Sequence, residues 1–154
     1  MLNRVCVFVQ RVLLCAWVGA AVLFVITSVA EQQFDGFASS IKNQLAMIRF
    51  PKYYVFGSVA LLTSLGCSTV RVASGERTRA SFSVLLLLFA ANVLMLIDFV
   101  FIYLPLHEIM VDLLRPRDDD FQWYHNASKY INSVGLLLTA IAAAIVCGTE
   151  SKPR

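Results

Sequence analysis

The chain has 154 residues, of which 58% are hydrophobic and only 15% charged, with a formal net charge of +3 and a mean hydropathy of +0.71. That balance lies outside the usual composition of a soluble globular domain and indicates an integral membrane protein. The lipid bilayer is therefore the first partner, and no nucleic-acid partner is expected.

Four apolar stretches are long enough to span the hydrocarbon as helices: Val12 to Ala30, Tyr53 to Val70, Ala80 to Leu106 and Tyr130 to Thr149. A span in lipid must satisfy its own backbone hydrogen bonds, and these stretches are too long for the alternating strands of a barrel. The expected fold class is an all-α polytopic membrane protein. One domain covers 1–154, with four transmembrane helices over about 12–30, 53–70, 80–104 and 127–147 in an antiparallel bundle.

Arg4 and Arg11 precede the first stretch, and Ser28-Val29-Ala30 at its end resembles a signal-peptidase site. The apolar run is long for a signal core, so it is read as a retained first helix. Residues 31–52 are too many for a turn. Phe37, Ile41, Leu45 and Ile48 recur at spacings of four, four and three, with Lys42 and Arg49 elsewhere around the wheel. This pattern predicts a short amphipathic interfacial helix over about 36–49, ended by Pro51, with Tyr53 and Tyr54 at the interface belt where helix two begins.

The polar loop Ser74-Gly75-Glu76-Arg77 is short enough to make helices two and three neighbours. Helix three carries Asp98, the one charge inside any of the four stretches, and is expected to end near Pro105. Leu106 to Leu114 then forms a surface turn carrying His107. In Arg115-Pro116-Arg117-Asp118-Asp119-Asp120 the three aspartates suit the exposed amides and positive dipole end of a helix start. A calcium site is the sharper alternative for the same residues.

With an even number of spans both termini lie on one side. That side collects Arg4, Arg11, Arg71, Arg77, Arg79, Lys152 and Arg154, against Lys42, Arg49, Lys52, Arg115, Arg117 and Lys129 on the other. Seven cations against six favour cytoplasmic termini, in a bacterial inner membrane or a plasma membrane. Cys6, Cys15, Cys67 and Cys147 form no CxxC pair, and in a reducing compartment they read as free thiols behaving as small apolar residues. Asn126-Ala127-Ser128 matches a glycosylation triplet at the membrane mouth, where modification is implausible.

His125, Ser128, Asn132, Gly135 and Thr139 follow one another at three, four, three and four, a small and polar seam down helix four. Such a seam lets helices approach closely, and Ala60, Ser64 and Ser68 on helix two are its expected partner. Counted back from Pro105, Asp98 lies about 10 Å inside the outer end of helix three. Asn132 reaches a similar depth, Glu31 closes helix one on the same side, and Lys129 is the expected ion-pair partner of Asp98. The alternative for an intramembrane carboxyl is a transport or proton-relay role.

His107 and His125 both fall near the outer boundary. With the neighbouring acids they are metal candidates, for copper or zinc, or one is an axial haem ligand. Interfacial histidines more often serve as polar anchors, and no recognised ligand spacing is present. A Ser128–His125 nucleophile lacks the glycines of a nucleophile elbow. No cofactor and no catalytic residue is expected.

Phe121, Tyr124-His125, Ser128 and Asn132 resemble the F-x-x-[YL]-H-G-x-S-x-x-x-N opening of the last helix in the transmembrane protein 205-like family, whose bacterial members form a group of unknown function. Phe50-Pro51-Lys52-Tyr53 is similar to that family's F-P-x-Y at the start of its second helix, and helix count and order agree over essentially the whole chain. Trp123 stands where an arginine is frequent, and Asn126 replaces the glycine after the histidine. The resemblance implies a four-helix membrane protein without established enzymatic activity, with eukaryotic relatives associated with membrane trafficking and platinum-drug resistance. The architecture is also similar to bacterial copper-resistance membrane proteins. The resulting expectation is a non-enzymatic accessory, assembly or membrane-organising component, with a membrane-protein partner or a second copy of the chain. Its likeliest functional spot is the polar cluster His125, Ser128, Asn132, Asp98, Lys129 and Glu31. The alternatives are a metal or haem handling protein and a small-solute or proton pathway through Asp98.

Overall fold

A computed structural model of the chain describes residues 1–111 and 119–148, and among them every regular element is helical. The elements are α1 (Leu2–Gln33), α2 (Ser39–Ala73), α3 (Arg79–Ile97), a π-helical segment (Asp98–Tyr103), α4 (Leu104–Val111) and α5 (Asp119–Gly148). Among the described residues four helical paths are long and apolar enough to cross a membrane: α1, α2, the continuous path Arg79–Val111, and α5. They support a multi-pass membrane protein. The fourth expected span ran to Thr149, whose final residue lies outside the described residues, as do Asp112 to Leu114, Arg115 to Asp118, Lys152 and Arg154.

α1 packs against α2 and α5, and α3 packs against the same two helices, so the spans close a ring in the order α1, α2, α3, α5. At its centre Leu14, Trp17 and Ala21 of α1 meet Leu61 of α2, Leu88 of α3 and Ala142 of α5. Toward the other end Tyr54, Tyr103, Leu106 and Phe121 form a second, aromatic core. Only 17–33% of each apolar window is buried, so most of every span faces outward. Val22, Leu62, Leu86, Phe89 and Leu137 are among the large exposed apolar side chains. In water such a surface would drive aggregation, whereas in hydrocarbon it costs nothing.

The connection from α2 to α3 is a helix-stop motif dictated by one glycine. Gly75 has φ +94, a conformation that costs a residue with a Cβ roughly 1–2 kcal/mol. Its N–H donates to the Val72 carbonyl at 3.2 Å, and the Glu76 N–H reaches back to the Arg71 carbonyl at 3.1 Å. The same turn folds the Glu76 side chain onto Arg71. Thr78 then caps α3, its hydroxyl accepting from the Ser81 N–H at 3.1 Å.

Both prolines expected to stop helices lie inside helical paths. Pro51 sits within the single helix Ser39–Ala73, so residues 36–49 are not a separate helix ended by proline. The missing N–H forfeits one bond, to the carbonyl four residues back, and the remaining ladder carries the helix through. The apolar stripe of this stretch points partly away from the protein, with Phe37 and Leu45 half-buried. Ile41 and Ile48 are exposed, while Asn43 and Ala46 face inward.

Pro105 likewise lies in α4, and the third span runs on to Val111. The helix accommodates the change by widening beforehand: Leu104 donates to the Phe99 carbonyl five residues back. A π segment of this kind inserts a residue into the helical register and turns the following side chains to a new face. Asp98 is consequently near the middle of the 33-residue path, deeper than a helix ending at Pro105 would place it.

At Gly57 side chains of α1 and α3 press against the backbone of α2. A Cβ there would fall 2.5 Å from the Trp17 ring and 2.6 Å from the Met95 methyl. The Met95 end can swing aside, but the indole is fixed by Tyr53, 4.8 Å away between ring centroids. Gly57→Val is expected to cost about 1–3 kcal/mol through overpacking, read as a lowered melting temperature in detergent, with Gly66→Val, whose Cβ position is open, as the silent control.

Candidate functional site

Asp98 opens the π segment, is fully buried, and points its carboxyl between α2 and α5. The Tyr54 hydroxyl donates to its Oδ2, and so does the Asn132 amide at 2.6 Å. That amide also reaches the Ser128 carbonyl at 2.9 Å and the Ser128 hydroxyl at 3.1 Å, while its own oxygen accepts from the Tyr53 hydroxyl at 3.1 Å. Two adjacent tyrosines on α2, one carboxyl on the third span and two polar residues one turn apart on α5 thus form a single network. Every donor to the carboxyl is neutral. Oδ1 is buried with no hydrogen-bond partner.

Aromatic rings wall the carboxyl off from lipid. Tyr54 lies 5.2 Å from Phe99 and 4.8 Å from Tyr103 between ring centroids. On the other side of Asn132 a cavity no larger than one water molecule is lined by Trp17, Tyr53, Met95, Asn132 and Gly135. Fixed neutral donors in a dry surrounding interact with a carboxyl far more strongly than they would in water.

Several expected site residues lie elsewhere. Lys129 is exposed, its ammonium 3.3 Å from the Asn126 side-chain oxygen and 5.5 Å from the Tyr130 ring centre, so it is not the partner of Asp98. Its long stem carries the charge to the periphery because hydration favours the ammonium there. Glu31 pairs with Arg49, its two oxygens 2.7 and 2.6 Å from the guanidinium nitrogens, at the junction of α1 and α2. Ser28 and the Phe24 ring complete that site, 3.3 and 5.4 Å away. His125 is exposed and stacks on Phe121, while His107 is half-buried beside Tyr103. Among the described residues no three of His, Cys, Asp and Glu converge on one point.

Of the seam on α5, Ser128 and Thr139 are buried and Asn132 and Gly135 partly so. Its expected partner on α2 faces a different helix. Ser64 and Ser68 meet Gln10 of α1, because α2 and α5 stand across the ring from one another. Tyr53 and Tyr54, read as an interface belt, instead turn into the bundle, Tyr54 being 3% exposed. Asp119 and Asp120 stand in the first turn of α5, as expected for a helix start. The rest of that acidic stretch is outside the described residues.

A second polar network closes the opposite end of the ring. Gln10 is fully buried, donates to the Ser64 carbonyl at 2.9 Å and the Ser68 hydroxyl at 2.7 Å, and accepts from Arg71 at 2.6 Å. Arg71, 4% exposed, also forms a two-pronged pair with Glu76. Sequence reasoning passed over this trio. Its legible signals were a glutamine just ahead of the first apolar run and an acid five residues after the arginine in the last turn of α2.

No protein-family model, curated protein or solved structure matches the chain.

Two predictions follow from these networks. Tyr54→Phe withdraws a donor to Asp98 and is expected to cost about 1–3 kcal/mol, with Asn132→Leu costing more, both read from thermal unfolding in detergent. The Arg71 guanidinium bonded to Glu76 holds that carboxyl below its ordinary range. A carboxyl whose pKa is lower folded than unfolded contributes stability above the unfolded value and loses it as pH falls through the folded one. The melting temperature is therefore expected to drop on acidification below the ordinary glutamate range, and Glu76→Gln should flatten that part of the profile.

Proposed function

We propose that the protein is a non-enzymatic accessory or assembly component of a membrane, an antiparallel four-span bundle that acts through its outer surface. The observation that carries this reading is how the inward-facing polar groups are used. Gln10, Arg71 and Glu76 bind one another at one end, Arg49 and Glu31 pair at the other, and Asp98, Tyr54 and Asn132 join α2 to the third span and α5. Each network fastens helix to helix, and the outward surface is left apolar. In this reading the first turns of α2 stand at the membrane interface, with Ile41 and Ile48 toward lipid, and the termini are cytoplasmic.

Membership of the transmembrane protein 205-like family belongs to the same proposal. Its support is that the two short motifs carrying the resemblance meet in space. Tyr53 of the F-P-x-Y stretch donates to Asn132 of the last-helix motif.

A second reading, a proton or small-solute pathway, is favoured by the unpartnered Oδ1 of Asp98. Proteoliposomes with an imposed pH gradient separate the two. The accessory reading expects gradients to decay equally with wild type, Asp98→Asn and no protein. Faster decay with wild type that is lost in a folded Asp98→Asn variant would replace it with the pathway reading.

A further inference from the structure

Four cysteines remain as free thiols, and two of them face each other across the seam between the first and last helices. The Sγ of Cys15 on α1 lies 3.9 Å from that of Cys147 on α5. We propose that Cys15 and Cys147 form a site of reversible intramolecular disulfide formation that staples α1 to α5. Three observations carry it.

First, the thiols approach within side-chain reach. A disulfide needs about 2.05 Å between sulfurs, so about 1.9 Å of the present 3.9 Å separation has to close. Second, the register of the seam is held independently of the sulfurs. Arg11, one turn before Cys15, donates through Nε to the carbonyl of Val146 at 3.1 Å, the residue next to Cys147. That contact ties the two helices at the level of the two sulfurs. Third, both thiols are exposed on the surface of the bundle. Cys6 and Cys67 also pair across α1 and α2, but Cys6 is 5% exposed and shielded from reagents.

The co-reactant is a disulfide of the glutathione type, taken up by exchange. One cysteine thiolate attacks a sulfur of the reagent, forming a mixed disulfide and releasing the first reduced thiol. The second cysteine attacks the protein sulfur of that mixed disulfide and releases the other. Cys15 and Cys147 are oxidised by two electrons in total, the reagent is reduced to two thiols, and the two cysteine protons end on them. The product ties together the helices that begin and end the described chain.

The test uses the full chain in detergent, carrying Cys6→Ser and Cys67→Ser so that only this pair remains, incubated with oxidised glutathione and then blocked with N-ethylmaleimide. The expected result is a monomer lacking two hydrogens, carrying no maleimide, melting several degrees higher and returned to the starting mass by dithiothreitol. Cys15→Ser should abolish the change. Two maleimide adducts without loss of hydrogens, stable glutathione adducts on both thiols, or disulfide-linked dimers would each overturn the proposal. Peptide mapping of the oxidised wild type, with a Cys15–Cys147 cross-linked peptide expected and its absence contradictory, applies if the double variant does not fold.

Discussion

Hydrocarbon offers a polar group no partner, and the arrangement of this bundle follows from that. A carboxyl in the third span, a glutamine in the first and an arginine at the end of the second must each find hydrogen bonds on another helix. Once they do, the pairing of the helices is largely decided. Apolar side chains add close contact but little direction, since lipid tails solvate a leucine as well as another helix does. Asp98, like Gln10, is fully buried. Tyr54 of α2 and Asn132 of α5 donate to it, from helices that stand across the ring, so it ties the bundle along a diagonal.

The π segment is the local device that makes this possible. Its widened turn begins at Asp98 and ends before a proline that cannot donate to the preceding turn. Wide turns and prolines both disturb a helical ladder, and placing them together confines the disturbance to one stretch. The aromatic side chains of that stretch, Phe99 and Tyr103, then close around the carboxyl network. The opposite end is organised differently, by a left-handed glycine that bends Glu76 back to Arg71. One network is therefore built on a fully buried carboxyl with neutral donors, and the other on an ion pair whose carboxylate is partly exposed.

The four spans were legible because length and hydropathy are properties of single segments. Asp98, Ser128 and Asn132 were legible as a cluster for a related reason, since polar residues stand out in an apolar run and their spacing gives their face. Partners were not legible. Lys129 looked right for Asp98 by charge and depth, but depth along an axis says nothing of rotation about it, and the lysine turns outward. Tyr53 and Tyr54 fit the interface rule by position, yet the Tyr54 hydroxyl donates to the enclosed carboxyl and the Tyr53 hydroxyl to the Asn132 side chain beside it. Pro51 and Pro105 suggested stops from rules calibrated in water. In long membrane helices the loss of one backbone bond is tolerated.

Tyr54 and Asp98 act as one interaction that fastens α2 to the third span. In a double-mutant cycle of Tyr54→Phe and Asp98→Leu, read as unfolding free energies in the same detergent, the expected coupling is at least about 1 kcal/mol, the double variant losing less than the sum of the single ones. Additive losses would contradict a joint action of the two residues.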